Sequence, residues 1–347
     1  MSIGPDVRPG ATTPRLPLLS SPGRAQVPLA ADGDWIVLGD RPTSAITGST
    51  YTYALWNIST GERRAGWDAP PDMQDWLGES SGGWLVTVRI GLSVPFADWR
   101  LILRNLRTGE TREIAHSNPD VEKIPNLPVR LPSGFAPTPS VSGTRVTWSE
   151  FVLDPTGAVR KRIELYNLLD GSLSTLVEVV PSVEDVWGPS LAGNRVAWAH
   201  RPAAPNSQEL VVLDLDNGGT TSFQVGGEIY GCALSADGEN LAWDDRYVEK
   251  HVINVTNGER LQYAGDEGWG ANRSGHYVSW QPLTGSYTAE TASPGAGGFY
   301  DFEKGEVRFV AHEEDSTIIS ATLLGDWFVW QDRSPSADYF YFLRLSR

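Results

Sequence analysis

One layout recurs seven times along this chain: ADGDWIVLGDR from position 31, SSGGWLVTVRI from 80, VSGTRVTWSEF from 141, LAGNRVAWAHR from 191, ADGENLAWDDR from 236, RSGHYVSWQPL from 273 and LLGDWFVWQDR from 323. Each copy places Gly at a tight turn and follows it with apolar residues at period two, the spacing of a half-buried strand. In five copies that strand ends near a Trp, at Trp148, Trp198, Trp243, Trp280 and Trp330, with Leu38 and Thr87 in the other two. Six copies continue into a second pattern: LWNISTGE, LRNLRTGE, LYNLLDGS, VLDLDNGG, VINVTNGE and FYDFEKGE. An Asn or Asp side chain that caps its own turn, followed by Gly free to take positive φ, is hairpin chemistry. A further short strand follows each of these turns. Four short strands per repeat, at a period of roughly 37 to 61 residues, predict an all-β, seven-bladed β-propeller with four-stranded blades.

The repeat resembles that of the TolB-like and WD40-like propellers of bacteria. LGDR, WDDR and WQDR, followed by a Tyr- or Phe-containing strand and then Asn or Asp before Gly, match that family's pattern over nearly the whole chain. The resemblance implies a single propeller domain over residues 1–347. It also implies an extracytoplasmic setting, periplasmic or secreted, if a targeting segment was removed, and a cytoplasmic one otherwise.

The seventh copy stops at YFLRLSR, with no Gly turn and no fourth strand. RPGATTPRLPLL, from Arg8 to Leu19, resembles NGGTTSFQV at 217–225, so residues 1–25 are read as a Pro-rich tether and a strand that completes the last blade and closes the ring. Such a strand hides an edge that would otherwise template association. Pro14 and Pro17 lie three apart and would aim their nitrogens at opposite edges, so one of them must stand outside the regular ladder.

A formal charge of -15 and a pI near 4.8 disfavour nucleic acid as a partner. No apolar run exceeds strand length, so no segment is read as inserting in a membrane, and the N-terminus lacks the basic start and apolar stretch of a signal peptide. With 40% hydrophobic residues and 14 Trp the chain has material for a large core of its own, and it reads as a monomer. The lone Cys232 excludes an internal disulfide and a Cys-based zinc site.

Two rims are distinguishable. One carries the short Gly turns; the other carries long irregular loops, among them RPTSAITGSTYTY, RIGLSVPFADW and QPLTGSYTAETASPGAG. Binding residues concentrate on such loops, so the site is placed on the loop-rich rim. The segments leading into the blades there are acidic and aromatic. Asp75, Asp185, Glu228, Asp266 and Glu314, beside Trp76, Trp187, Tyr230 and Trp269, are candidates for a collar at the channel mouth. A collar of this kind suits Ca²⁺, a basic peptide, or a quaternary amine over a ring face. Solvated carboxylates and aromatics packed between blades are the competing interpretation.

The ends of the second strands form another column, Asp40, Arg89, Glu150, His200, Asp245, Pro282 and Asp332, with Arg41, Arg201, Arg246 and Arg333 beside four of them. Because an Asp-Arg pair repeats from blade to blade, it reads as structural pairing between neighbours, while His200 is a candidate ligand or base. GESSG at 78–82 matches a nucleophile motif but falls where a strand turn is expected rather than a strand, turn and helix, and DLDNGG from Asp214 falls in a hairpin turn rather than a calcium loop. The favoured function is a non-catalytic binding or scaffold propeller that recognises a protein, peptide or small molecule on the loop-rich rim and channel mouth. The alternative is a propeller enzyme, a polysaccharide lyase or hydrolase, with a carboxylate and His site at the channel mouth.

Overall fold

The computed structural model describes residues 2–3, 13–43, 50–91, 98–118, 136–203, 208–226, 229, 231–244, 249–264, 268–274, 277–282, 298–301, 303–309, 317–333 and 338–345. Among the described residues every regular element is a strand, and the strands assemble into seven sheets. The first runs Arg24–Asp32, Trp35–Pro42, Thr52–Asn57, Arg63–Asp68 and the second Met73–Ser81, Trp84–Gly91, Trp99–Asn105, Thr111–His116. The third is Ser140–Ser142, Arg145–Leu153, Val159–Asn167, Leu173–Val179 and the fourth Asp185–Ala192, Arg195–Arg201, Gln208–Asp214, Thr220–Val225. The fifth is Cys232–Leu234, Asn240–Asp244, Glu249–Asn254, Arg260–Ala264; the sixth is Gly268–Ser274, Tyr277–Pro282, Gly298–Asp301, Glu306–Phe309; the seventh begins Thr317–Leu324, Trp327–Arg333, Asp338–Arg344. These consecutive strands pair antiparallel, each with the next. By compactness residues 23–225 form one unit and residues 1–22 with 226–347 another.

The turn chemistry follows the sequence. Asn57 Oδ1 accepts the N–H groups of Ser59 and Thr60, and Gly61 closes that turn at φ 74°. Asn105, Asn167, Asp214, Asn254 and Asp301 serve their own turns in the same way. Each turn therefore satisfies its own backbone donors. DLDNGG is one of these hairpins, as expected.

In the unit of residues 23–225 the sheets lock together in two ways. Large side chains interdigitate: Val86, Val88, Ile90, Trp99, Leu101 and Leu103 of the second sheet form one buried cluster with Val146 and Trp148 of the third. Near the Gly turns, side-chain oxygens on one first strand accept backbone N–H groups of the next. Glu79 and Ser81 take the amides of Val141 and Gly143 at 2.9 and 3.1 Å, and Ser140 and Ser142 take those of Leu191 and Gly193, both at 3.0 Å. Ser80 of GESSG sits on a strand, and its hydroxyl donates to the carbonyl of Ala31. The motif is structural.

In the other unit, Arg15–Pro17 pairs antiparallel with Tyr339–Tyr341 and supplies the seventh sheet with its fourth strand. Pro14 stands just outside the strand and accepts the amide of Phe342 at 3.0 Å through its carbonyl, while the amide of Leu18 donates to Asp338 at 2.9 Å. That resolves the spacing of the two prolines. Further upstream, Ser2–Ile3 runs parallel to Glu306–Val307 and adds a fifth strand to the sixth sheet. Leu16, only 2% exposed, anchors the closing strand. Deleting residues 1–18 should lower the unfolding free energy by about 2 kcal/mol, the worth of one fully buried Leu, and bare an edge that pairs between molecules. Thermal unfolding and sedimentation check this; an unchanged midpoint with no association would refute the role of the strand.

Candidate functional site

Within the unit of residues 23–225, polar side chains gather at the strand ends away from the Gly turns. In the second sheet Asp75 is cross-strand partner to Arg89, which grips its carboxylate from Nε at 2.6 Å and Nη2 at 3.2 Å. The indole of Trp67, on the first sheet, donates to the same carboxylate at 2.7 Å, and the Asp75 amide donates to the Tyr53 hydroxyl at 2.6 Å. The Tyr53 hydroxyl is held far above its usual range, first by burial and then by the Asp75 charge. Asp75 is a buried, fully engaged anion that ties two sheets together.

In the fourth sheet Asp185 occupies the matching place opposite Arg201, but the preceding sheet here contributes a cation. Lys161, 3% exposed, donates to Asp185 Oδ1 at 2.7 Å, and Arg201 reaches Oδ2 only through Nη2 at 3.4 Å. Burial pulls the Lys161 ammonium down, and Asp185 pushes it back up. Asp75 and Asp185, two of the candidate collar carboxylates, are thus each enclosed in ion pairs. Asp40, expected to pair between neighbouring sheets, instead meets Arg24 of its own sheet at 2.8 Å.

His200 lies at the same end of the fourth sheet. Its Nδ1 is 2.7 Å from Glu209 on the adjoining strand, and Gln224 holds the other Glu209 oxygen at 2.9 Å. Its Nε2 faces Glu184 at 3.6 Å, beyond hydrogen-bond reach, with the Glu184 side chain 40% exposed. A carboxylate on Nδ1 fixes the orientation of the ring. The imidazole is therefore oriented by a carboxylate that is itself held in place.

Glu150 holds the equivalent position in the third sheet. Burial pushes its carboxyl up to about 7, and the nearby Glu164 adds to the rise. The indole of Trp148 and Arg162 pull it partway back, although no acceptor lies within hydrogen-bond geometry of the Trp148 nitrogen. Glu164 is raised too, mainly by burial, while the Thr175 hydroxyl bonds both of its oxygens at 3.0 Å. Because the folded protein holds the Glu150 proton more tightly than the unfolded chain, this contribution is full below about pH 4.5 and is lost as pH rises through about 7. Glu150→Gln should therefore be more stable than the parent at pH 8 by about 2 kcal/mol, and indistinguishable from it at pH 4. Denaturant unfolding at both pH values decides; an equal difference at each would place the effect outside titration.

Of the other predicted residues, Trp76 is partly buried against the cluster shared by the second and third sheets, and Trp187 is buried. Glu228, Tyr230, Asp266 and Glu314 lie outside the described residues, as does the side chain of Trp269, whose backbone belongs to the strand Gly268–Ser274. Sequence reasoning missed Lys161, Glu209 and Gln224; once the strand register is known, Glu209 falls directly opposite His200. Among the described residues no group of three or more His, Cys, Asp or Glu side chains is arranged to hold a metal ion, and no helix is long and apolar enough to cross a membrane.

No protein-family model matches the sequence, and no curated protein matches it. Solved structures do align with it. A prolyl endopeptidase is 9% identical, with 94% of this chain and 51% of that one covered, at a TM-score of 0.59. The acylaminoacyl peptidase of Pyrococcus horikoshii is 12% identical, with 94% and 53% covered, at 0.57. The β-propeller domain of the Trilobed protease from Pyrococcus furiosus is 10% identical, with 93% and 96% covered, also at 0.57. The chain spans about half the length of the two peptidases and nearly all of the propeller domain. At such identities the likeness is one of fold, and it defines the class: the protein is an all-β propeller with mainly four-stranded blades. The Pyrococcus furiosus domain is described as having an open velcro topology, whereas here an N-terminal strand completes the last sheet.

Proposed function

We propose that this protein is a propeller enzyme whose loop-rich rim carries an acid–base site centred on His200. The observation that carries the reading is the His200–Glu209 pair at 2.7 Å, held by Gln224, with Nε2 facing Glu184 at 3.6 Å. Nε2 takes a proton from a substrate, Glu209 stabilises the resulting imidazolium, and Glu184 balances its charge. In this reading Arg15–Pro17 completes the last blade, and the Asp-Arg segments resemble those of the TolB-like propellers.

The test is turnover of a panel of acidic and neutral polysaccharides, carboxylic esters and short peptides, the last chosen because the structural neighbours include peptidases. His200→Asn should lower turnover by roughly 10² to 10⁴, the usual worth of a positioned base, and Glu209→Gln by a smaller factor. An inactive parent, or full activity in His200→Asn, would overturn it. A second reading, a binding module without chemistry, draws support from the length match, since the chain is coextensive with a propeller that is one domain of a protease. Ligand binding that survives His200→Asn with no turnover in the parent would select that reading.

A further inference from the structure

The second and fourth sheets place the same Asp-Arg pair at the same strand ends, yet its charges balance differently. In the second sheet the preceding sheet gives the carboxylate a neutral donor, the Trp67 indole, and Asp75 and Arg89 form a two-pronged pair of 2.6 and 3.2 Å. In the fourth, Lys161 takes Asp185 in a short contact of 2.7 Å, and among the described residues Arg201 is left with one contact of 3.4 Å. One carboxylate then serves two cations. The Arg201 side chain is 23% exposed against 12% for Arg89. A guanidinium carries five N–H donors in a planar fork, and a single long bond leaves most of them free for a ligand.

We infer that Arg201 is an anion clamp, loosened from Asp185 by Lys161, that binds a carboxylate on the ligand meeting the strand end that also carries His200. A carboxylate is favoured over a phosphate for two reasons. Its two oxygens match two parallel N–H groups of the fork. Glu184 and Glu209 lie at the same end of the sheet, and the chain carries a net charge of -15, so a dianion is repelled more strongly than a monoanion. As the anchor of a substrate the clamp rests on the acid–base reading above; as an anion site it is tested alone.

The probes are propionate, its neutral twin propionamide, and inorganic phosphate, each titrated while the Arg201 Nε–H signal is followed by ¹⁵N NMR, with the signal identified by its loss in Arg201→Gln. Propionate should shift this signal saturably and propionamide should not. In Arg201→Lys, which keeps the charge but loses the fork, propionate affinity measured by calorimetry should fall about 10-fold. Lys161→Met leaves Arg201 untouched but frees Asp185 to take it as Asp75 takes Arg89, so propionate binding should vanish there as well. No propionate shift, an equal shift with propionamide, tighter binding of phosphate, or undiminished binding in Lys161→Met would each overturn the clamp. His200→Asn should keep propionate binding while losing turnover. Propionate binding in a parent without turnover would sink the acid–base reading and leave the clamp standing; turnover without propionate binding would do the reverse.

Discussion

Trp148→Ala should destabilise the protein by about 3 to 5 kcal/mol, the range for deleting a large aromatic from a packed core. Trp148 is fully buried, at 0% exposure, and its ring fills the space between the second and third sheets against Val86, Val88 and Leu101. Those neighbours lie on strands tied by ladder hydrogen bonds, so they collapse poorly into the vacated volume, and the cavity adds to the lost transfer energy. The same residue recurs at Trp198, Trp243 and Trp330, which are 5%, 3% and 1% exposed. Denaturant unfolding measures the cost. A change below about 1 kcal/mol would mean that the site refills and that burial at this position is not what joins the sheets.

Asp185→Ala should cost a similar amount, about 3 to 5 kcal/mol, because it strands the buried Lys161 ammonium without its acid. The variant should have a distinctive pH signature. Removing Asp185 takes away the interaction that holds the Lys161 proton against burial, so the folded-state pKa falls further below that of the unfolded chain. In that window the unfolded state binds more protons, and stability rises with pH. The deficit should therefore shrink as the pH is raised from 7 toward 10, and Lys161→Met in the Asp185→Ala background should recover much of it. A deficit that neither narrows with pH nor responds to the second substitution would show that packing, not the stranded charge, is lost.

Most of the strand layout was legible because both of its signals are local. A Gly turn followed by apolar residues at period two, and an Asx residue serving the turn that follows it, depend on no distant part of the chain, as Asn57 and Gly61 illustrate. The closing strand at Arg15–Pro17 was legible for a different reason, since the incomplete last repeat required a partner and only one segment had the right pattern. The site was far less so. Asp75 and Asp185 were recognisable as acidic residues at the loop-rich rim, but not as buried anions.

The sequence by itself determined the all-β propeller class, the hairpin turns and the core positions of Trp148, Trp198, Trp243 and Trp330. Tertiary structure decided which of the polar residues meet, and the physical reason is a bulge. Counted back from the Gly turn at period two, Asp185 would share the face of Trp198 and His200, and Asp75 that of Val86 and Val88. In the fold the pairing slips between Trp187 and Ser190, and again between Asp75 and Gly78, which moves each Asp to the other face, opposite Arg201 and Arg89. No alternation pattern records that slip. Nor does any local signal record that the preceding sheet offers Trp67 and Tyr53 to one Asp and Lys161 to the other, while among the described residues Arg89 holds its Asp through two bonds and Arg201 through one.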